Sequence, residues 1–465
     1  MTTRSDDLLD GFAVRLHDDV EVGDFLRSGS RVVRISPVAR DLICDRDLVA
    51  DSPARAGLAS RLLDLDLADP VLDGLPSPAL DELTVVVPVR DDHAGVDDLL
   101  TGLSGMVRVV VVDDASRDAG ELVRVVDRHG ARLVRLDHNL GPAAARNLGS
   151  MQVVTPYVAF VDSDVQVSPD ALRRLLRHMV DPGLSAVAPR IRATGGDGWL
   201  AAYEDVSGSL DLGPVPATTR GWSSVAYVPS ACLVVRMADL GAGFDTRMRC
   251  GEDVDLVWRM HAEGRRVRHA AEIDARHRSR RSTGRWLGRK AFYGTSAAPL
   301  AARHADRVAP AVLTPAAATA VAGVLVQRRW SLALATVAAA MASRRVVSAV
   351  PELPAEQKRA VLVATGVGVA RQTSGLVLRH WSPAALVLCL LSGRVRRVVA
   401  VLSVADGLLS YRALHPRLDP VRFVLARRAE HLAYGAGVWW GALRARSPRC
   451  LAPRWLPMTT RRTRR

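Results

Sequence analysis

Asp162-Ser163-Asp164 sets two carboxylates two residues apart, directly after the apolar run Tyr157-Val-Ala-Phe-Val161. In a turn both can face one divalent ion, and hard oxygen ligands suit Mg²⁺ or Mn²⁺. Such a cation bridges a diphosphate and neutralises the charge growing on a departing nucleoside diphosphate. Further acidic pairs, Asp91-Asp92 and Asp113-Asp114, close other apolar runs, and Glu252-Asp253 follows a glycine and precedes a helix-like run, Val254 to His261. A redox dinucleotide site wants GxGxxG directly after the first strand. Here that position reads Pro88-Val-Arg-Asp-Asp-His93, with no glycine, which argues against NAD or FAD.

The elements that must carry these residues alternate. Leu83–Val89 reads as a buried strand from its β-branched run, as do 107–113, 131–136, 157–162 and 185–191. Helical patterns fill 94–104, 118–129 and 169–180, and Pro142 opens another helix. The βαβαβ order predicts an α/β domain with a parallel, doubly wound sheet. Ligands of such sheets lie at the carboxyl ends of the strands, where the acidic pairs fall.

Taken in order, Val86-Val-Pro-Val-Arg90, Val112-Asp-Asp-Ala-Ser116, Asn139 to Gly149, Asp162-Ser-Asp164 and Gly251-Glu-Asp-Val-Asp255 form a five-motif series. The series, with starts about 26, 27, 23 and 89 residues apart, resembles the family 2 glycosyltransferases of GT-A (Rossmann-like) fold over residues 83–280. The resemblance implies transfer of a hexosyl group from a UDP-sugar with inversion. It implies that the Pro88–Arg90 loop, Asp114 and Arg146 hold the nucleoside, that Asp162 contacts ribose or metal, and that Asp164 is the main metal ligand. It assigns the general base to Asp253, with Asp255 as a weaker substitute, and matches His277 to a histidine that some relatives use as a further ligand.

The residue chemistry agrees. A uracil ring offers one imide donor and two carbonyl acceptors, so Asp113 or Asp114 can accept the imide proton or a ribose hydroxyl. Arg146 can donate to a base carbonyl or a phosphate. Its rival role is an ion pair with Asp113. A carboxylate beside the acceptor hydroxyl can take its proton as the anomeric carbon is attacked. Trp199, Tyr203, Trp222 and Tyr227 stand among Gly and Ser in 195–230, either as an acceptor face or as core.

The 465 residues leave room for two to four domains at roughly 150 residues each. Charge is segregated. Residues 1–80 carry 9 basic and 15 acidic groups, 81–300 carry 28 of each, and 301–465 carry 26 basic and 6 acidic, a net +20. Only Lys290 and Lys358 are lysines. Five scattered cysteines without CxxC argue against a disulfide scaffold and fit a reducing compartment. The acidic, polar first 30 residues predict no secretory signal peptide.

Residues 1–78 read as a small α+β unit. Strands are expected within 11–17 and 31–35, with helices at 38–49 and about 54–67, and a linker at 69–78. The pattern resembles the winged-helix domains that bind peptide leaders. Residues 79–300 form the expected catalytic domain, and 301–465 a helical, apolar, arginine-punctuated region. There the charge-free run Val308–Gln327 is 20 residues, enough for about 30 Å of hydrocarbon. Trp330–Ser343 and His380–Gly393 are shorter. Attachment to the cytoplasmic face of a membrane is the expectation, with nucleic acid as a lesser rival that no motif supports.

The three parts together, with the run Gly251–Met260, resemble the glycosyltransferases of the actinobacterial mycofactocin system. That likeness implies a peptide-derived small-molecule acceptor and glucose as donor sugar. The rivals are transfer to a polyprenyl phosphate or envelope polysaccharide, and a non-catalytic peptide-binding scaffold.

Overall fold

The computed structural model describes residues 11–29, 31–221, 223, 225–278, 282–305 and 307–455. The chain groups into two compact units, Met1–Asp18 with Ser36–Arg281, and Asp19–Ile35 with Ser282–Arg465. This grouping divides the expected first part, residues 1–78, between the two.

The first unit is built on a nine-stranded sheet. Its strands are β1 (Leu83–Val89), β2 (Arg108–Asp113), β3 (Arg132–Arg135), β4 (Tyr157–Val161), β5 (Val165–Gln166), β6 (Leu184–Thr194), β7 (Ala217–Thr218), β8 (Cys232–Arg236) and β9 (Arg266–Arg278). The order is β5-β9-β6-β8-β4-β1-β2-β3, with β7 also on β9. Strands β3, β2, β1 and β4 run parallel. Strand β8 enters antiparallel between β4 and β6. The sheet is therefore mixed rather than wholly parallel. Cys232 to Val235 are all fully buried, and an unbroken apolar run carries no sign of its direction.

Helices α1 (His93–Leu103), α2 (Ala119–Arg128), α3 (Pro142–Ser150), α4 (Pro169–His178), α5 (Trp199–Ser207) and α6 (Glu252–Ala262) lie between these strands in the chain. The core joins Val85, Val87 and Val111 to Leu99 and Leu122. Each such side chain stabilises the fold by roughly 1.5–3 kcal/mol. Helix α3 lies close on the sheet because Gly149 has no side chain: a Cβ there would sit 2.3 Å from a Val86 methyl. That contact fixes the height of Arg146 above the strand ends.

Residues 13–16 pair antiparallel with 47–49 and 68–71. The expected helix over 38–49 is only Pro37–Asp41, capped by Ser36 Oγ. Asp45 and Arg46 then take left-handed backbone angles, φ 45° and 73°, and turn the chain into a strand. The expected linker begins with the paired strand Ala68–Val71. Arg266 binds Asp64 at 2.7 Å and Asp181 at 2.9 Å, and Arg268 binds Asp69 at 2.6 Å, fastening this segment to β9.

The second unit is mostly helical, with a small three-stranded sheet over Glu21–Val22, Phe25–Ser28 and Arg31–Arg34. The run 308–327 is not one span: Val312–Leu313 is a strand, and Thr314 caps a 12-residue helix with Pro315 at its start. Two other helices, Arg329–Ala349 and Ala355–His380, are long and apolar enough to cross a membrane, with 11% and 28% of their apolar windows buried. Helix Thr283–Thr295 meets helix Pro420–Arg444 backbone to backbone, since a Cβ at Gly437 would fall 1.8 Å from Ala291 O.

Candidate active site

The carboxyl ends of β1, β2 and β4 open toward the N-termini of α1 and α3. Pro88 is buried in β1, and Arg90 after it is exposed. Asp92 caps α1 through Gly95 N and accepts a hydrogen bond from Ser163 Oγ at 2.8 Å, which ties the middle of the Asp162–Asp164 turn to the end of β1. Asp113 is buried. One of its carboxylate oxygens accepts Ser116 N–H, and the other lies 3.4 Å from Arg135 Nη1. Asp114 accepts the backbone N–H groups of Leu140 (2.7 Å) and Gly141 (2.9 Å). Gly141, at φ +91°, begins α3, so Asp114 shapes the loop in front of that helix.

Arg146 is 3% exposed. Its Nη2 donates to Asp162 Oδ1 at 2.6 Å and its Nη1 to Glu252 Oε1 at 2.9 Å. It is these two carboxylates, not Asp113, that pair with it. The guanidinium lies 5.4 Å from the centre of the Phe244 ring. Asn147 holds that loop by giving and taking a hydrogen bond with the Phe244 backbone, at 2.7 and 2.8 Å. Glu252, Phe244 and Asn147 lie outside the set expected for the site. Glu252 and Asn147 each adjoin a residue of that set, and Phe244 had no sequence signal.

Burial pushes the Asp162 carboxyl up; Arg146 opposes the shift, while Asp164 and Glu252 add to it. Asp164 Oδ2 lies 3.1 Å from His277 Nε2. The cause is strand pairing: β5 follows the turn at once and sets Val165 opposite His277 of β9. Among the described residues no group of three or more His, Cys, Asp or Glu forms a ready cage for a metal.

Gly251, at φ +80°, turns the chain into α6 and puts Glu252 and Asp253 on its first turn. Asp253 Oδ1 accepts the Val254 N–H at 2.8 Å. Burial, and then the neighbouring Glu252, push the Asp253 carboxyl up to about 7. Asp255 instead turns inward, to Arg259 Nε at 2.9 Å. Of the four aromatics, Tyr203 is fully buried core and Trp199 is 38% exposed. Tyr227 is half-buried, and Trp222 lies outside the described residues.

The fold and site are those of a glycosyltransferase of GT-A fold, a curled mixed sheet followed by apolar helices. A glycosyl transferase family 2 model matches residues 84–238. The chain belongs to the family 2 glycosyltransferases. It is 39% identical to the pre-mycofactocin glycosyltransferase from two strains of Mycobacterium tuberculosis, over 96% of this chain and 98% of that one. It is also 33% identical to a succinoglycan biosynthesis protein of Rhizobium meliloti over 129 residues, 26% of this chain and 37% of that one. Among solved structures, a mannosyltransferase of Pyrobaculum calidifontis, in complex with GDP-Man and Mn²⁺, covers 78% of this chain and 91% of its own at 18% identity and a TM-score of 0.39.

Proposed function

We propose that this glycosyltransferase moves glucose from UDP-glucose to a peptide-derived redox cofactor precursor, pre-mycofactocin, with inversion at the anomeric carbon. The observation that carries the reading is the double grip of Arg146, which joins the end of β4 to the start of α6 and so brings the Asp162–Asp164 turn and Asp253 to one place.

In the transfer an acceptor hydroxyl oxygen forms the new bond to the anomeric carbon. The bond from that carbon to the diphosphate oxygen breaks, UDP leaves, and the hydroxyl proton passes to Asp253. A carboxyl lifted to about 7 is a stronger base than an ordinary aspartate, which suits this task near neutral pH. Asp255, engaged by Arg259, is the poorer base. Pro88, Arg90 and Asp113 line the nucleoside side, with Asp114 shaping their loop and Arg146 holding Asp162 and Glu252 in register.

Asp164 and the neighbouring His277 would hold a Mg²⁺ or Mn²⁺ ion, with Asp162, bound to Arg146, beside them. Burial and the nearby Asp164 charge push the Asp162 carboxyl up, a cost that a cation would relieve, and the Asp164–His277 pair adds an imidazole donor. A bound ion supplies neutralisation of the diphosphate's charge. The two apolar helices and the net +20 of residues 301–465 support attachment to a membrane, with the catalytic unit on the cytoplasmic side, where nucleotide sugars are made.

The test is UDP release from UDP-glucose with Mg²⁺ or Mn²⁺ in separate reactions with pre-mycofactocin and with a polyprenyl phosphate, followed by NMR of the product. Release with the first acceptor and a β-linked product are expected. Release only with the lipid phosphate moves the acceptor to an envelope precursor. An α-linked product overturns inversion, and no turnover with either acceptor favours a scaffold.

A further inference from the structure

The second unit gathers cations at one place. Helix Pro420–Arg444 carries Arg427, Arg428 and His431 within about one turn. Arg427 Nε lies 2.8 Å from Asp406 Oδ2, and Arg428 reaches the same oxygen. Lys290 pairs with Glu430 at 2.7 Å. Arg379 lies over the Tyr434 ring, 4.0 Å from its centre, and its Nε is buried with no hydrogen-bond partner. His431 is 6% exposed, and its Nδ1 likewise has no hydrogen-bond partner. Of these cations Arg379 has no carboxylate partner among the described residues.

The local field is positive. After burial, the charges that act most on His431 are those of Arg427, Arg428, Arg379 and His380, and together they hold its imidazole neutral, well below its ordinary range. Buried charge is costly unless it is paired and hydrogen-bonded. An anion with several oxygens satisfies such a cluster, because a guanidinium presents its N–H donors in a planar fork that matches phosphate. Position narrows the source. Arg379 ends Ala355–His380, one of the two helices long and apolar enough to cross a membrane. The end of such a helix is where a lipid presents its headgroup.

We propose that Arg379, Arg427, Arg428 and His431 form a binding site for a phosphate monoester or diester, with an anionic lipid as the source that the adjoining apolar helices favour. The proposal uses none of the residues of the candidate active site and is read by lipid binding, so it stands or falls apart from the transfer reaction.

The test uses the full-length protein and vesicles of phosphatidylcholine with and without phosphatidylglycerol, in the presence and absence of inorganic phosphate. Arg379→Gln is expected to cut the preference for anionic vesicles about tenfold, the loss of one charge-assisted contact. Arg379→Lys restores part of it. Arg329→Gln removes the same charge from an exposed helix start and changes the preference less than about twofold. Indifference to inorganic phosphate assigns the site to lipid. Competition by inorganic phosphate that Arg379→Gln abolishes assigns it to a soluble phosphate compound. Equal losses in Arg379→Gln and Arg329→Gln, or no loss in Arg379→Gln, overturn the proposal. His431→Gln, read in the same way, replaces Arg379→Gln if that variant does not fold.

Discussion

The two units use arginine in opposite ways. In residues 81–300, most of them in the first unit, basic and acidic groups balance at 28 each, and the buried arginines there grip carboxylates from distant parts of the chain. Arg146 spans Asp162 and Glu252, and Arg266 spans Asp64 and Asp181. In 301–465 the balance is 26 to 6, so most cations have no acidic counterpart in that stretch. A matched arginine fixes geometry inside the fold; a surplus arginine is directed at something outside it. The same residue type is therefore costly to replace in one unit and replaceable over much of the other.

The comparison can be broken in four places. Asp253→Asn should lower the transfer rate by about 10²–10⁴-fold with the fold retained, measured as UDP release beside a thermal melt. The sign with pH follows. Below about 7 the carboxyl is protonated and cannot accept the hydroxyl proton, so the wild-type rate should climb through about pH 7 and level off above it. Because the folded value lies above the unfolded one, ionising Asp253 costs stability as pH rises through about 7. The Asn variant should therefore melt higher than wild type at pH 8 while having lost its activity.

Arg146→Met leaves the buried Glu252 and the half-buried Asp162 without their cation. A loss of about 3–5 kcal/mol in urea unfolding is expected. A stable, active Met variant would refute the view that matched arginines set the geometry.

His277→Ala should weaken the apparent affinity for Mn²⁺ about tenfold in a metal titration of activity, since it removes one donor or its orienting partner. The smallest effect belongs to the surplus class. Arg344→Gln, at an exposed position, should change unfolding stability by less than about 0.5 kcal/mol. A large loss there would show that the C-terminal arginines are structural after all.

Much of this was legible in the chain. Buried β-branched runs, helix starts and the ordered acidic motifs located β1 to β4, α1 to α4 and the carboxylates. Three things were not. The direction of β8 has no local signature. The short helix at Pro37–Asp41 gives way to a strand through left-handed angles at Asp45, a turn-tolerant residue, and at Arg46, which gives no such sign. The partners of Arg146 lie 16 and 106 residues away, a pairing set by how α3 and α6 dock, not by any nearby spacing.

Strand β9 bears on how far the chain can be trimmed. The matched family segment ends at residue 238, yet β9 begins at Arg266 and sits inside the sheet, between β5 and β6. One of its ends is anchored by Asp64 and Asp69, and the other brings His277 to the Asp162–Asp164 turn. A fragment cut to residues 84–238 would keep most of the acidic signature but leave β6 an unsealed edge and forfeit the proposed base. A fragment that keeps this sheet and its anchors must include residues 64–69 and run to residue 278.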